Sequence, residues 1–184
     1  MKIALIAGSN RRNATSTKLL QYMEGVLRGR GIATTLIDLF ETPLPMYSPD
    51  AEVLDGHTSA MKRAVAEADA VILGTPEYHG SISGALKNAL DFMGAGEFSG
   101  KPVLSVSSSG GAVGVSSLTQ LQAMVRNMHG INSPEWLSLG GDARQFETDG
   151  APADAAIRQR VERTLDSLVG LAALLRPHAG AVSK

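Results

Sequence analysis

Residues 74–93 read GTPEYHGSISGALKNALDFM, and the other predicted elements are arranged around this stretch. The four apolar residues before it, 70–73, predict a short buried β-strand. Residues 75–82 predict a loop, and Ser83 then begins an amphipathic helix that runs to Met93. A loop between a buried strand and the following helix lies at the carboxyl end of a parallel sheet. Open α/β proteins bind their ligands at that edge.

The same alternation of strand and helix recurs along the chain. Each apolar run of strand length is followed by apolar residues at three- and four-residue spacing, the pattern of an amphipathic helix. Continuous apolar runs are typical of strands buried on both faces, so we expect a parallel sheet with helices on both sides. The predicted strands are residues 2–7, 33–39, 70–73, 101–107 and 133–139, and the helical stripes lie within residues 19–27, 57–68, 83–93, 115–129 and 157–175.

These elements predict an α/β three-layer sandwich around a five-stranded parallel sheet with the strand order 2-1-3-4-5. Crossovers between parallel strands are right-handed in nearly all proteins. This strand order brings the loops after strands 1, 3 and 4 together at one edge. With 184 residues, the chain is expected to form one domain spanning residues 1–184. The tail after Pro177 is predicted to be loose.

Composition argues against several function classes. The formal net charge of −1 gives no electrostatic case for binding nucleic acid or an anionic membrane. The longest apolar runs are far shorter than the roughly 20 residues that span a bilayer, and the start MKIALIAGSNRR is too short for a signal peptide. The absence of cysteine excludes disulfides, thiolate metal sites and a cysteine nucleophile. It is compatible with the cytoplasmic location that we expect.

The loop after the first strand, residues 8–17, reads GSNRRNATST and precedes a helix. The unpaired N–H groups and positive dipole end of a helix N-terminus attract phosphate, and Arg11 can donate two hydrogen bonds to one. The loop lacks the GKS or GKT of a P-loop and the GxGxxG of a dinucleotide fold. Alternatively, Thr15 or Ser16 simply caps the helix. Both interpretations use the same atoms.

The loops after strands 3 and 4 have the properties of a ring-binding site. Residues 75–81, TPEYHGS, combine a rigid proline turn, the flat side chain of Tyr78 and a bare backbone at Gly80. Residues 107–114, SSSGGAVG, would leave backbone N–H groups free to line a ring that carries carbonyls. Each loop alone could be an ordinary surface turn. Their strength as a signal comes from their adjacent places at one end of the sheet.

Together, a phosphate loop and two ring-edge loops describe a mononucleotide with a broad aromatic head, and flavin mononucleotide (FMN) fits that description. Two side chains in the second loop also have simpler interpretations. His79 alone would more often be a solvated loop histidine than a base. Glu77 could be no more than a charge placed at a helix N-terminus.

The sequence also carries a resemblance to a known family. The opening GSNR at residues 8–11, the run PEYHG followed by SGALKNALDF at residues 83–92, and the Gly110-Gly111 pair resemble the NADPH-dependent FMN reductase family of flavodoxin-like proteins. The resemblance covers about residues 2–175. Within the family, the chain is most similar to the azoreductase and FMN reductase branch. The resemblance implies bound FMN, reduction by NADPH or NADH, and a homodimer or homotetramer.

Position by position, the resemblance implies three groups of site residues. The phosphate would be held at the first loop, one edge of the isoalloxazine ring at the second, and the other edge at the third. These residues are Ser9, Arg11, Ser16 and Thr17 for the phosphate, Pro76, Glu77, Tyr78 and His79 along the ring, and Ser109, Gly110 and Gly111 at its other edge.

The chain departs from the family pattern at one position and follows a variable one at another. Thr15 stands where several relatives carry an arginine, which leaves Arg11 as the main phosphate cation and Arg12 as a helper. The position of His79 varies in the family, so the resemblance does not imply an obligatory acid–base role there. It does suggest that the helices at residues 83–93 and 115–129 meet a partner subunit.

The favoured function is an FMN-dependent NAD(P)H oxidoreductase that passes electrons on to free flavin, a quinone, an azo dye or a similar flat acceptor. The alternative is a flavodoxin-type electron carrier that binds FMN without oxidising NAD(P)H itself. Carriers of that type resemble strongly acidic proteins and enclose the flavin ring between aromatic side chains. This chain is near neutral and has a single aromatic residue, Tyr78, in the three loops, which argues against the carrier. A phospho-acceptor receiver domain would need acidic residues after strands 1 and 3, where the chain has Gly8-Ser9 and Thr75-Pro76.

Overall fold

Five parallel strands form one sheet in the order β2-β1-β3-β4-β5, which confirms the predicted topology. The computed structural model describes residues 1–176, so the tail after Pro177 lies outside the described residues. Strands β3 and β4 are buried along their whole length, as expected of central strands covered on both faces. The strands are β1 (Lys2–Ala7), β2 (Ala33–Asp38), β3 (Ala70–Pro76), β4 (Pro102–Ser108) and β5 (Ile131–Leu139).

Helices cover both faces of the sheet and enclose two apolar cores. One core lies under α1 and α6, and the other lies under α2 to α5. Their buried side chains recur at helical spacing, so each helix presents one apolar stripe to the sheet. The helices are α1 (Thr15–Gly29), α2 (Gly56–Glu67), α3 (Gly84–Asp91), α4 (Ala95–Phe98), α5 (Val115–Asn127) and α6 (Ala155–Leu175), and a short 3₁₀ helix covers Gly141–Arg144.

The structure differs from the predicted elements in four main places. Strand β3 continues through Pro76, and β5 begins at Ile131, two residues earlier than predicted. The register between β4 and β5 shifts between Val103 and Ser105, so Pro134 lies in an irregular part of an edge strand, where a missing N–H is tolerated. Helix α4 and the 3₁₀ helix were not predicted, since four residues are too few to show a periodic pattern.

The two ends of the sheet differ in how far their polar groups are already paired. A hollow of about 650 Å³ lies at the amino end. There the Nζ of Lys101 donates to the carbonyl oxygens of Val65 and Ala66, and Arg176 lies 3.2 Å from a carboxylate oxygen of Asp69. Burial lowers the pKa of Lys101. The three loops of the predicted site are at the opposite, carboxyl end of the sheet.

Within residues 1–176, no helix combines the length and the apolar character needed to cross a bilayer.

Candidate functional site

The loop between β1 and α1 leaves the amino end of α1 free of side-chain capping. The N-cap is Ala14, and among residues 1–176 no side chain accepts a hydrogen bond from the first turn. The hydroxyls of Ser16 and Thr17 are buried, and within residues 1–176 neither has a hydrogen-bond partner. The structure therefore contradicts the interpretation that Thr15 or Ser16 caps this helix. Several donors remain available to an anion at this helix end.

Two residues near the start of this loop have different surroundings from those hydroxyls. Ser9 is fully buried, and its Oγ accepts from the backbone N–H of Arg11 at 3.2 Å, so it shapes the loop. The Arg11 side chain is exposed at the cleft. The guanidinium of Arg12 instead lies 5.4 Å from the ring centre of Phe40, a cation–π distance. Arg11 is thus the arginine of this loop that faces the cleft.

The second loop contains a tight turn at its tip. Tyr78 and Ser81 exchange two backbone hydrogen bonds of 3.0 Å each. Between them, His79 has a φ of 52° and Gly80 a φ of 71°, the pattern of a type I′ turn. Histidine is among the residues that adopt this left-handed conformation most readily. The position of His79 therefore has a backbone explanation that does not involve its imidazole.

Side chains from distant parts of the chain hold this loop. The N–H of Ser83 donates to Thr75 Oγ1 at 3.0 Å, and Ser83 Oγ caps α3 while donating to the carbonyl of Gly8. Gln120 of α5 accepts from Ser81 Oγ at 2.6 Å and donates to the carbonyl of Gly80 at 3.0 Å. The contacts of Gln120 could not be predicted from the sequence, because its partners lie about 40 residues away.

The Glu77 carboxylate lies at the N-terminus of α5. Its Oε2 accepts from the backbone N–H of Ser117 at 2.9 Å, in the first turn of α5. The N–H of Glu77 donates to the carbonyl of Ser108 at 2.7 Å. Glu77 lines the cleft and also supplies the helix-terminal charge that was the simpler interpretation. It joins the second loop to the third.

The third loop presents bare backbone to the cleft. Ser109 is buried, and its N–H donates to the carbonyl of Leu139 at 2.9 Å. Gly110 and Gly111 are exposed, and their N–H groups have no hydrogen-bond acceptor among residues 1–176. Ser138 fixes the far end of the loop by accepting from the N–H of Gly114 at 2.7 Å.

The three loops meet around one open cleft of about 90 Å³. This volume is smaller than most ligand pockets, so the site is identified by its unpaired donors and not by its size. Six of the eleven predicted residues line this cleft, whereas Ser9, Ser16, Thr17, His79 and Gly111 do not. Four lining residues were not predicted: Ala14, Thr15, Ser108 and Arg144 of the 3₁₀ helix. The lining residues are Arg11, Ala14, Thr15, Pro76, Glu77, Tyr78, Ser108, Ser109, Gly110 and Arg144.

One carboxylate near this edge has a perturbed pKa. Burial raises the pKa of Asp38, at the end of β2, although a hydrogen bond of 3.0 Å from the N–H of Phe40 partly opposes this. Asp38 does not line the cleft. Its contact with Phe40 shows that it shapes the turn after β2.

The free donors fit the chemistry of FMN. Unpaired hydroxyls beside a helix N-terminus suit a phosphate. Free N–H groups of Gly110 and Gly111 suit the carbonyl-bearing edge of the isoalloxazine. Tyr78, 45% exposed at the cleft, supplies a flat apolar surface beside it. A phosphate group and a ring edge would thus each meet matching atoms.

Comparison with known proteins gives independent information. An FMN-dependent NADPH-azoreductase from Staphylococcus aureus is 36% identical over 176 residues, covering 92% of this chain and 94% of the relative. A flavoenzyme NAD(P)H:(acceptor) oxidoreductase from Paracoccus denitrificans, FerB, superposes with a TM-score of 0.79 at 23% identity, covering 95% of this chain and 98% of that one. The apo form of an NADH:FMN oxidoreductase, EMOB, gives a TM-score of 0.74 at 20% identity, with 95% and 89% covered.

The two structural neighbours confirm the flavodoxin-like fold, and the azoreductase relative confirms the predicted resemblance over nearly the whole chain. Residues 1–144, which contain all three loops, match the family described as NADPH-dependent FMN reductase. The chain therefore belongs to the NADPH-dependent FMN reductase family.

Proposed function

We propose that this FMN-dependent NAD(P)H oxidoreductase holds its cofactor in the cleft at the carboxyl end of the sheet. The observation that carries this placement is the pair of buried, unpaired hydroxyls beside the uncapped end of α1. Buried hydroxyls are nearly always hydrogen-bonded, so a missing acceptor is implied. The proposed cofactor residues are Ser9, Arg11, Ser16, Thr17, Pro76, Glu77, Tyr78, His79, Ser109, Gly110 and Gly111.

In this proposal the protein binds and orients, and the cofactor supplies the reaction. When bound, FMN accepts a hydride from NADPH or NADH and passes two electrons to a second substrate. Arg11 and the hydroxyls of α1 hold the phosphate, and the N–H groups of Gly110 and Gly111 hold the ring edge. Glu77 and Gln120 connect the second loop to α5, which follows the third loop, and so hold the two loops in their relative positions. No side-chain nucleophile or metal is needed.

The acceptor that we propose is a flat oxidised molecule such as free flavin, a quinone or an azo dye. The cleft is open, and Tyr78 is its only aromatic residue among those that line it. An open ring face can be stacked first by a nicotinamide and then by the acceptor. The relative from Staphylococcus aureus is an azoreductase, so an azo dye is the first acceptor to test.

We also propose that the protein forms a homodimer or homotetramer through α3 and α5. A groove of about 430 Å³ lies between these helices, and Leu90, Met93, Met124 and Met128 line it. Flexible methionine side chains are common at contact surfaces. Residues 1–184 would form a single domain in each subunit, and the absence of cysteine supports a cytoplasmic location.

The visible spectrum of the purified protein, before and after addition of FMN, tests the cofactor assignment. A steady-state assay with NADPH or NADH, offered with free flavin, a quinone or an azo dye, tests the reaction. We expect oxidation of a nicotinamide with at least one of these acceptors. Binding of FMN without bleaching of the flavin by NADPH or NADH in stopped flow would favour the electron-carrier alternative.

A further inference from the structure

Arg144 is a charged residue of the cleft for which neither the fold nor the proposed cofactor contacts account. It lies in the 3₁₀ helix Gly141–Arg144 and lines the cleft together with Ser109 and Gly110. Within residues 1–176, no carboxylate lies within ion-pair distance of its guanidinium. Its charge is therefore available to a ligand in the cleft.

The backbone around Arg144 is attached to the third loop. The N–H of Gly141 donates to the carbonyl of Gly111 at 2.9 Å. A Cβ at Gly140 would lie 2.1 Å from the carbonyl oxygen of Gly111 and 2.2 Å from that of Ala112, so the two segments are in direct contact and only glycine fits. The segment that carries Arg144 thus belongs to the ring-edge side of the cleft.

The Arg144 side chain is also held in place. Its Nε donates to the carbonyl of Gly141 at 3.0 Å. This bond uses one of the five donors of the guanidinium, and the two terminal nitrogens have no acceptor within the described part of the chain. The guanidinium stays charged at any physiological pH. A positive charge therefore lies on the same side of the cleft as the unpaired N–H groups of Gly110 and Gly111.

Those N–H groups would select which edge of a bound flavin lies near Arg144. They are donors, so they match the pyrimidine edge, which carries the two carbonyls, and not the apolar dimethylbenzene edge. The same pyrimidine edge gains negative charge when the flavin takes up two electrons as hydride. A cation near this edge interacts more strongly with the reduced flavin than with the oxidised one, and charge near it tunes the cofactor.

We propose that Arg144 stabilises the anionic reduced form of FMN and so raises the reduction potential of the bound flavin. The proposal rests on the proposed function, since it requires FMN in this cleft. Two other anions could meet the same guanidinium: the FMN phosphate, shared with Arg11, and the phosphates of NAD(P)H. Neither of them changes charge when the flavin is reduced, so a reduction potential separates them from the proposed role.

The test compares FMN-loaded wild-type protein with the variants Arg144→Gln and Arg144→Lys. The two-electron potential of bound FMN is measured by equilibration with a reference dye, and the affinity for oxidised FMN by fluorescence titration. We expect Arg144→Gln to weaken binding of reduced FMN about tenfold more than binding of oxidised FMN. For a two-electron couple this lowers the potential by about 30 mV. Arg144→Lys should retain most of the wild-type potential.

Arg163→Gln is a matched control, because Arg163 is exposed on α6, does not line the cleft, and its loss should leave the potential unchanged. An unchanged potential in Arg144→Gln would overturn the inference. If Arg144→Gln weakened the binding of oxidised and reduced FMN equally, Arg144 would be a phosphate ligand. A raised KM for NADPH at constant potential would assign it to the nicotinamide nucleotide. A wild-type protein that binds no FMN would instead refute the proposed function.

Discussion

The hydroxyl of Thr17 is buried without a hydrogen-bond partner among residues 1–176, a state that costs about 1–3 kcal/mol. A bound phosphate would remove this cost. We expect Thr17→Val, which keeps the side-chain shape, to weaken FMN binding about tenfold, or about 1.4 kcal/mol. The FMN-free variant should unfold at the same temperature as wild type or higher. Fluorescence titration and thermal unfolding measure the two quantities.

Thr164→Val is the control for this prediction. Thr164 is also buried, but its Oγ1 donates to the carbonyl of Arg160 at 2.7 Å. Loss of the Thr164 hydroxyl should change the temperature of unfolding and leave FMN affinity unchanged. Wild-type FMN affinity in Thr17→Val would contradict the phosphate assignment.

The turn at His79 gives a second prediction for a single residue. Its φ of 52° is readily adopted by asparagine and disfavoured for a β-branched residue. We expect His79→Asn to keep kcat within about twofold of wild type, because general acid–base catalysis, worth about 10²–10⁴-fold, is not its role. His79→Val should strain the turn by about 1–2 kcal/mol and weaken FMN binding. Steady-state kinetics over a range of pH and FMN titration measure these effects.

A large loss of kcat in both His79 variants, together with a lost ionisation in the pH profile, would instead identify the imidazole as an acid or base. The asparagine and valine variants therefore separate the chemistry of the side chain from the shape of the backbone.

Some of the predicted cofactor residues lie at the cleft, where the signal in the sequence was local. Tyr78 and Gly110 were predicted because each lies in a short loop directly after a strand, and both line the cleft. Gln120 and Arg144 were not predicted, since their contacts are with loops that are distant in sequence. The role of Glu77 was left open for the same reason: its partner, Ser117, is 40 residues away.

At the scale of elements, Gln120 connects α5 to the turn of the second loop through two hydrogen bonds. We expect Gln120→Ala to free this turn and to weaken FMN binding about threefold to tenfold, the effect of losing about 1 kcal/mol of hydrogen bonding. The measurement is an FMN titration, combined with hydrogen exchange of the amides of residues 78–81. Faster exchange there should accompany the loss of affinity.

Gln122→Ala, two residues along the same helix, is the comparison, because the Gln122 side chain makes no hydrogen bond within residues 1–176. Equal effects of the two substitutions would show that the loss reflects the stability of α5 and not the contact with the loop.

The elements themselves were predictable to the extent that they carry a periodic pattern. Apolar and β-branched runs indicated the five strands, the fifth with polar interruptions, and helical spacing indicated the five longer helices. The early start of β5 at Ile131 was missed because Ser133 and Pro134 interrupt its apolar pattern. The 3₁₀ helix at Gly141–Arg144 was missed because its conformation depends on packing against the third loop.

At the scale of the whole molecule, the strand order followed from one requirement, that three ligand-type loops converge at one edge. The sheet has that order. The depth and lining of the cleft could not be derived in this way, because they depend on how side chains pack between loops. The family resemblance suggested that the helices at residues 83–93 and 115–129 meet a partner subunit, and the structure adds a groove between α3 and α5 that is lined by methionines.

We expect Met124→Glu, a substitution in this groove, to convert the proposed oligomer to a monomer. Met124 lines the groove and is partly buried against the core under α5. A carboxylate there would lose its hydration if a second subunit covered the groove, and burying an unpaired charge costs several kcal/mol. Gel filtration with light scattering, at low micromolar concentration, measures the mass of each species.

Leu174→Glu is the control for the added charge, since Leu174 is 75% exposed on α6, on the other face of the sheet. It should leave the mass unchanged. Thermal unfolding of Met124→Glu separates dissociation from loss of fold: a cooperative transition with the mass of one subunit supports an interface at this groove. An unchanged oligomer in Met124→Glu, or a monomeric wild-type protein, would show that α3 and α5 do not form the contact.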